Sequence, residues 1–213
     1  MVQPAPLLIT AANSSRAYGT ENPPLTLHYN GFVNGEDSNS LQTTATITTT
    51  ATTTSPVGNY PIQLFGAQAN NYAIAYQNGT LTIGKATLTI TANEATKTYG
   101  QTNPTFSASF SGFVNGDTAA SLTTPPGFTC AATSASSVGS YPITASGAQA
   151  NNYAIAYQGG TLAIGKAALT IAANDATKAY GQTNPTFTAS FTGFVNNDTA
   201  ASLTTPPSIT CTA

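Results

Sequence analysis

Charged residues are scarce in this chain. Only 5 Lys and Arg and 7 Asp and Glu occur among 213 residues, a charged fraction of 6%, whereas an ordinary soluble domain has about 25%. So few cations exclude the basic surface that nucleic acid or an anionic membrane would require. Tryptophan is absent, and one His and two Cys leave little material for a metal site or an acid/base pair. We therefore expect no catalytic residue, no cofactor and no metal.

Neutral polar side chains replace the missing charge. The chain contains 39 Thr and 17 Ser. Threonine is β-branched and favours strands, while Glu and Lys, which usually cover the surfaces of helices, are almost absent. No apolar run approaches the roughly 18 residues of a membrane-spanning helix. The composition predicts an all-β protein without membrane insertion.

An internal repeat organises the sequence. Tyr18-Gly19, Tyr99-Gly100 and Tyr180-Gly181 follow one another at intervals of 81 residues. Between residues 86–132 and 167–213, 37 of 47 paired positions are identical. A fixed period of this kind is typical of tandem structural units, each one a small module.

The repeat period predicts three units, at residues 1–84, 85–165 and 166–213. The third holds only about the first half of a repeat, so we expect the chain to belong to a longer array. Adjacent units meet at Gly84-Lys85 and at Gly165-Lys166, without a flexible linker. Two residues leave little freedom between neighbours, so the sequence predicts a semi-rigid rod.

Alternation of apolar and polar residues in the middle unit predicts six short strands. Leu88 and Ile90, for example, alternate with threonines. The other five strands are centred near Ala108, Thr129, Ile143, Ile155 and Ala163. Gln158-Gly159-Gly160 is typical of a tight hairpin loop, and Asp117 begins a segment that predicts one short helical turn. We expect at most one such turn in each module.

Four motifs of the middle unit resemble a known family. They are the Tyr99-Gly100-x-x-Asn-Pro opening, the block from Gly112 to Asp117, the strand from Val138 to Ile143 and the closing segment 152–164. Together they resemble the MBG repeats, of the Tyr-Gly-x type, of large bacterial secreted and surface proteins. The resemblance implies a small module, either a β-sandwich or β-grasp-like, used in tandem in the stalks of adhesin-like exoproteins. It implies an extracellular or cell-surface location and supplies no catalytic residue.

An acidic residue recurs at Glu36, Asp117 and Asp198, each time after an Asn-containing turn. Such a carboxylate can bind calcium in a loop or cap the following helical turn. Calcium sites need several carboxylates within a few residues, and only the first unit offers a second one, so we interpret these residues as caps. His28 has no His counterpart in the other units, which excludes a repeated histidine metal site.

A basic residue recurs at Arg16, Lys97 and Lys178, with Glu94 and Asp175 three positions earlier in two of the units. A buried Lys beside a carboxyl group could form an intramolecular isopeptide bond, but an arginine cannot. We therefore interpret these residues as members of exposed, weak ion pairs.

Two pairs of tyrosines, Tyr72 with Tyr76 and Tyr153 with Tyr157, recur on one predicted strand. They could form a strip on which carbohydrate rings stack. Because they share strand parity with isoleucines, we instead expect core side chains whose hydroxyl groups reach water.

Cys130 and Cys211 occupy the same position in successive units. They are not expected to pair with each other, since a disulfide needs Cα atoms within about 7 Å. The family resemblance suggests a partner in the Tyr-Pro-Ile-Thr strand, where this chain has Ala145. We expect Cys130 to stay reduced, and the sequence leaves open whether either thiol forms an intermolecular bond.

These observations favour a structural role, as a stalk segment of a bacterial cell-surface or secreted adhesin-like protein without catalysis. The alternative is a repeated module that binds glycan or protein weakly and gains strength through avidity. The expected partners are neighbouring repeats of the same chain and, in the alternative, a host or cell-surface glycan or protein. No Ser/His/Asp or Cys/His set recurs with the period, so we do not expect an enzyme.

Overall fold

The computed structural model describes residues 2–212, and the secondary structure there is almost entirely β. Met1 and Ala213, at the outer limits of the first and third units, lie outside the described residues. One 3₁₀ helix of three residues occurs in each repeat, at Ser38–Ser40, Ala119–Ser121 and Ala200–Ser202. The all-β prediction and the single short helical turn of each module are both confirmed.

Within residues 2–165, each of the first two repeats contains seven strands, one more than the alternation of apolar and polar residues predicted. Strands β1 to β7 of the first repeat are Ala5–Ala11, Ser14–Ala17, Leu27–Asn30, Thr46–Thr49, Gly58–Phe65, Tyr72–Gln77 and Gly79–Gly84. Strands β8 to β14 of the second repeat are Ala86–Ala92, Ala95–Thr98, Ala108–Ser111, Gly127–Cys130, Gly139–Ser146, Tyr153–Gln158 and Gly160–Gly165. Strands β15 and β16 of the third repeat are Thr170–Ala173 and Ala189–Thr192.

Two sheets build the first repeat. One has the strand order β3-β1-β6, and the other has the order β4-β5-β7-β2. Strand β1 is antiparallel to β3 and parallel to β6, and β7 is antiparallel to β5 and parallel to β2. Leu7 and Ile9 of β1, Ile62 of β5 and Leu81 and Ile83 of β7 are fully buried. Because β1 contacts β5 across the two sheets, this repeat is a small β-sandwich rather than a β-grasp.

The second repeat contains the same two strand orders, β10-β8-β13 and β11-β12-β14-β9. Strands β13 and β14 therefore belong to different sheets, and the hairpin predicted at Gln158-Gly159-Gly160 is wrong. A Cβ atom added to Gly160 would lie only 2.4 Å from the carbonyl oxygen of Ala92. Glycine is needed there because another backbone passes too close for a side chain.

In the part of the third repeat that the structure describes, residues 166–212, one two-stranded sheet forms, β15 with β16. Its Ile171 is 43% exposed, whereas Ile9 and Ile90, at the same position of the other repeats, are fully buried. This repeat therefore lacks most of the core that the other two have, and two strands alone are marginally stable.

The chain divides into two compact units, and neither coincides with a single repeat. The first is the chain up to Ile90 together with Phe110–Pro126 and Gly147–Ala156, and the second is Thr91–Ser109, Gly127–Ser146 and the chain from Tyr157 onward. Residues of neighbouring repeats thus share each compact unit. The boundaries between repeats, predicted after residues 84 and 165, stay predictions. Only Lys85 separates β7 from β8.

Candidate functional site

Polar residues that recur with the period gather where one repeat meets the next. We call these sites the first junction, between repeats one and two, and the second junction, between repeats two and three.

Other candidate residues lie apart from the junctions. Within the described residues 2–212, His28 is exposed on β3. No group of three or more His, Cys, Asp or Glu there could hold a metal ion, and no helix in the same range has the length and apolarity to cross a membrane.

One half of each junction is a tight turn that ends in an acidic residue, which we call the acidic turn. In the second repeat the turn is Val114–Asp117, and the Asp117 N–H donates to the Val114 carbonyl over 2.9 Å. Its two central residues, Asn115 and Gly116, have φ of 56° and 78°, as a type I′ turn requires. Val33–Glu36 and Val195–Asp198 form the same turn, because their central residues also have positive φ.

Glu36, Asp117 and Asp198 are not helix caps, and that interpretation is wrong. The residue that caps the 3₁₀ helix lies one position later, at Asp37, Thr118 and Thr199. The Thr118 side chain accepts from the Ala120 N–H, and the Ser121 side chain completes a capping box. The carboxylate of Asp117 is therefore free to bind elsewhere.

Two tyrosines of different repeats share the Asp117 carboxylate. Tyr153, of the same repeat, donates to Asp117 Oδ2 over 2.6 Å, and Tyr18, of the preceding repeat, donates to the same oxygen over 3.1 Å. The two rings meet edge to face, with centroids 5.6 Å apart. Both tyrosines are buried, 6% and 3% exposed for Tyr18 and Tyr153. The hydrogen bonds are charge-assisted and partly buried, which strengthens them.

This environment changes the acidity of the buried phenol. Burial and the hydrogen bond to Asp117 raise the pKa of Tyr153 from 10.0 to about 12. In the first repeat, Tyr72 donates to Glu36 over 2.5 Å, and that bond likewise raises the pKa of Tyr72. Both tyrosines therefore stay neutral hydrogen-bond donors across the physiological pH range, because ionisation would place a phenolate beside a carboxylate.

The other half of each junction is the Tyr-Gly segment of the preceding repeat, which we call the Tyr-Gly turn. Gly19 has φ of +82°, and a Cβ atom there would lie 2.3 Å from Val114 Cγ2. Gly100 has φ of +88°, and its Cβ would lie 2.7 Å from Val195 Cγ2. Glycine is required at both positions because the valine of the next repeat's acidic turn fills the space of a side chain.

An asparagine of each acidic turn adds a hydrogen bond back to the preceding repeat. Asn115 Nδ2 donates to the Thr53 carbonyl over 3.1 Å, and Asn196 Nδ2 donates to the Ser134 carbonyl over 2.9 Å. The same contact therefore forms in both junctions, between equivalent residues. In the first junction, the Val57 N–H also donates to Asn152 Oδ1.

The second junction is less complete than the first. Tyr99 is half-buried, whereas Tyr18 is buried. The described residues 166–212 of the third repeat include no strand equivalent to β13, which carries Tyr153 in the first junction. An open cavity of about 220 Å³, lined by Tyr99, Val195 and Asp198 among others, lies in this place.

The recurring basic residues hold the Tyr-Gly turn in place within their own repeats. Lys97 is buried, and its Nζ donates to the Thr133 carbonyl over 2.6 Å and to the Gln101 carbonyl over 3.0 Å. The predicted exposed ion pair with Glu94 is therefore wrong for Lys97. Arg16 and Lys178 donate instead to an asparagine six positions later. These contacts fix the loop that follows the Tyr-Gly turn.

The tyrosine pairs divide into one buried and one exposed member. Tyr72 and Tyr153 are buried, as predicted. Tyr76 and Tyr157 are 38% and 39% exposed, so the prediction of a core position is wrong for them. Strand alternation gave a wrong prediction for Tyr76 and Tyr157 because residues become more exposed toward the ends of β6 and β13.

Both cysteines are free thiols. Cys130 lies on β11 opposite Ile143 of β12, and Ala145 lies opposite Phe128 in the same pairing. Cys130 is half-buried and Cys211 is exposed. The reduced state of Cys130 stays a prediction.

The sequence analysis identified the recurring tyrosines and acidic residues but did not predict that they contact each other. The available signal was their common period, since Tyr18, Tyr99 and Tyr180 recur as strictly as the acidic residues do. Two recurrent features that never vary in spacing can be the two sides of one repeated contact.

Comparison with known proteins gives the family. A search of curated proteins found no similar sequence. The model of the MBG domain, YGX type, matches residues 7–82, 88–163 and 169–213. It is a family of non-catalytic repeat domains, and the Tyr-Gly segments at the junctions are those of its YGX type. With three matches that together span nearly the whole chain, the protein belongs to the MBG domain family of the YGX type.

Proposed function

We propose that the chain is a structural stalk segment of a bacterial adhesin-like protein, secreted or held at the cell surface, and that it catalyses no reaction. The observation that carries the proposal is the first junction. There, the recurring Tyr18, Gly19 and Asp117 serve to attach one repeat to the next. A module whose characteristic residues make contacts between repeats is suited to building an extended array.

The low charge and the short connections support the same role. Few ionic groups hold the repeats, and only Lys85 separates the last strand of the first repeat from the first strand of the second. Apolar contacts, and hydrogen bonds from a neutral phenol to a carboxylate, respond weakly to salt because screening acts mainly between pairs of charges. An extracellular stalk benefits from this property because its length then stays constant as the surrounding ionic strength changes.

Small-angle scattering of chains with two, three and four complete repeats tests the stalk. We expect the maximum dimension to rise linearly by roughly 30 to 40 Å per repeat, and to be equal in low and high salt. Growth with only the square root of the repeat number would indicate freely moving beads and would contradict the proposal.

One observation favours a second candidate, a weak binding module. Tyr76 and Tyr157 are exposed at equivalent positions, so an array presents a tyrosine once per repeat. Tyrosine can stack on sugar rings or contact a protein partner. The same series of chains, applied to a glycan array, would show binding that strengthens steeply with repeat number if avidity operates. Replacing both tyrosines by alanine should then abolish that binding.

A further inference from the structure

The first and last strands of the first repeat form a pair of parallel arms. The N-terminal arm, residues 5–17, contains β1 and β2, and the C-terminal arm, residues 72–84, contains β6 and β7. Strand β1 is parallel to β6, and β2 is parallel to β7. In both pairings the partners are 67 positions apart in the sequence, as Ala5 and Tyr72 are. One register therefore continues from the first pairing into the second.

The arms stay in contact where they pass from one sheet of the sandwich to the other. Both arms leave the sheet of β1 and enter the sheet of β2 at the same level. The Thr80 N–H donates there to Asn13 Oδ1 over 2.8 Å. A Cβ atom on Gly79 would lie 2.8 Å from the carbonyl oxygens of Ala11 and Ala12. The two backbones thus touch at the crossing, and the pairing is continuous along the arms.

Hydrogen bonds and buried side chains hold the arms from one end to the other. The Ala5 N–H donates to the Asn71 carbonyl over 2.8 Å at one end, and the Tyr18 N–H donates to the Gly84 carbonyl over 2.8 Å at the other. Both arms also contribute fully buried side chains to the core, namely Leu7, Ile9, Leu81 and Ile83. Burial on this face strengthens the hydrogen bonds beside these side chains.

The second repeat has the same arrangement. Strand β9 is parallel to β14, and Ala95 lies opposite Leu162, again 67 positions away. Strand β13 lies beside β8 in the other sheet, and the Thr91 side chain donates to Gln158 Oε1 with the same separation. The paired arms therefore belong to the repeat and not to one copy of it.

Tension along an array of repeats loads the arms in shear. It pulls the N-terminal arm toward the preceding repeat and the C-terminal arm toward the next one. Because the arms are parallel, the two pulls are opposite and lie along the strands. The evenly spaced hydrogen bonds of a parallel pair are then stretched together, whereas peeling two strands apart breaks one residue pair at a time. Residues 18–71 lie between the arms in sequence and bear no tension while the arms hold.

We propose that the paired arms of the first two repeats are mechanical clamps, which make each repeat resist a pull on its two ends. Only Lys85 lies between the C-terminal arm of the first repeat and the first strand of the second, so the chain passes tension directly from one clamp to the next. The clamp follows from the strand pairing alone. Its use, to bear load between a cell surface and whatever an adhesin binds, rests on the proposed stalk function.

Unfolding the full chain with optical tweezers along two directions tests the clamp. One variant carries its handles at Gln3→Cys and Lys85→Cys, and the other at Gln3→Cys and Asn70→Cys; all three residues are exposed. The first pair of handles pulls on the start of the N-terminal arm and the end of the C-terminal arm, which is the shear direction. The second pair pulls on the starts of both arms, so it peels β1 from β6.

The shear direction should need a force several-fold higher than the peeling direction at the same pulling speed. Forced unfolding measures the barrier along the pulled direction and not the equilibrium stability, so one fold can give two forces. The length released, at most about 3.6 Å for each residue between the handles, shows that the first repeat is the part that unfolds.

Both variants share one background and one control. Cys130→Thr and Cys211→Thr restrict the handles to the introduced cysteines, and the first repeat already has Thr49 at that position. Without force, urea should unfold the two variants at the same concentration, which shows that direction alone sets the difference. Equal forces in the two directions, or a lower force between Gln3 and Lys85, would overturn the clamp. The stalk would stand after that result, because scattering measures its length without load.

Discussion

Replacing Gly19 by alanine tests the docking of one repeat on the next. Gly19 lies in the Tyr-Gly turn of the first junction, where an added Cβ atom would be 2.3 Å from Val114 Cγ2. Gly66, in the same repeat, provides a matched control. Its φ of +83° nearly equals the +82° of Gly19, but the nearest atom to its Cβ, Thr46 Oγ1, is 3.7 Å away.

Both substitutions place alanine at an unfavourable positive φ, but only Gly19→Ala also creates a steric clash with another residue. Alanine at positive φ costs roughly 1 to 2 kcal/mol at either site. Carbon atoms in contact are normally about 3.5 to 4.0 Å apart, so Gly19→Ala also forces a displacement of more than about 1 Å at Val114. Overpacking of this kind typically costs about 1 to 3 kcal/mol. Gly19→Ala should therefore destabilise the chain by about 1 to 3 kcal/mol more than Gly66→Ala.

Urea unfolding followed by circular dichroism measures this difference in the free energy of unfolding. Each kcal/mol should also lower the melting temperature by about 4 to 8 °C if one repeat unfolds by itself, and by about 2 to 4 °C if the whole chain unfolds together. Val114→Ala removes the methyl groups at 2.3 and 3.2 Å but keeps Cβ at 2.6 Å, so it relieves part of the clash and should cost less in the Gly19→Ala chain than in the wild type. Equal stability of the two glycine variants would refute the docking of Gly19 against Val114.

Three further results are expected. The pKa of Tyr153 in the folded chain, about 12, is raised above the ordinary 10.0. Its contribution to the free energy of unfolding is therefore complete below pH 10 and is lost as the pH rises from about 10 to 12. When urea unfolding is measured across this pH range, Tyr153→Phe should lose less stability than the wild type. The described residues 166–212 have only a two-stranded sheet, so hydrogen exchange should be fastest there and limited proteolysis should begin after Gly165. Equal protection of the second and third repeats would contradict this. A thiol reagent should titrate Cys130 and Cys211 as two free thiols per denatured chain, and a non-reduced monomer with none would show that a disulfide forms.

The fold was largely predictable because alternation is a local signal. Leu88 and Ile90 of β8 are fully buried on the face that alternation assigned to the core. Strand Ala95–Thr98 escaped prediction because its partner is the parallel strand Gly160–Gly165, far away in sequence. The sequence also did not predict that the chain passes from one sheet to the other at Gly160, because Gly-containing segments occur both in hairpin loops and in crossings between sheets.

The site was harder to predict because its contacts are distant in sequence. Asp117 directly precedes a capping residue, so its local context favoured a cap. Its partner Tyr18 lies 99 positions away in another repeat. Lys97 is similar, because the backbone carbonyls of Thr133 and Gln101 satisfy its ammonium group. No side-chain pattern reveals such partners.

A double-mutant cycle between Tyr18 and Asp117 tests most directly whether the Tyr-Gly turn of one repeat is bound by the acidic turn of the next. The free energy of unfolding would be measured for the wild type, Tyr18→Phe, Asp117→Ala and the double variant. A hydrogen bond to a charged group contributes about 1.5 to 3 kcal/mol, so we expect a coupling energy of at least about 1 kcal/mol. Tyr76→Phe, whose hydroxyl accepts from the Ala67 N–H within the first repeat, should be additive with Asp117→Ala. Additivity of Tyr18→Phe with Asp117→Ala, within about 0.5 kcal/mol, would contradict the account.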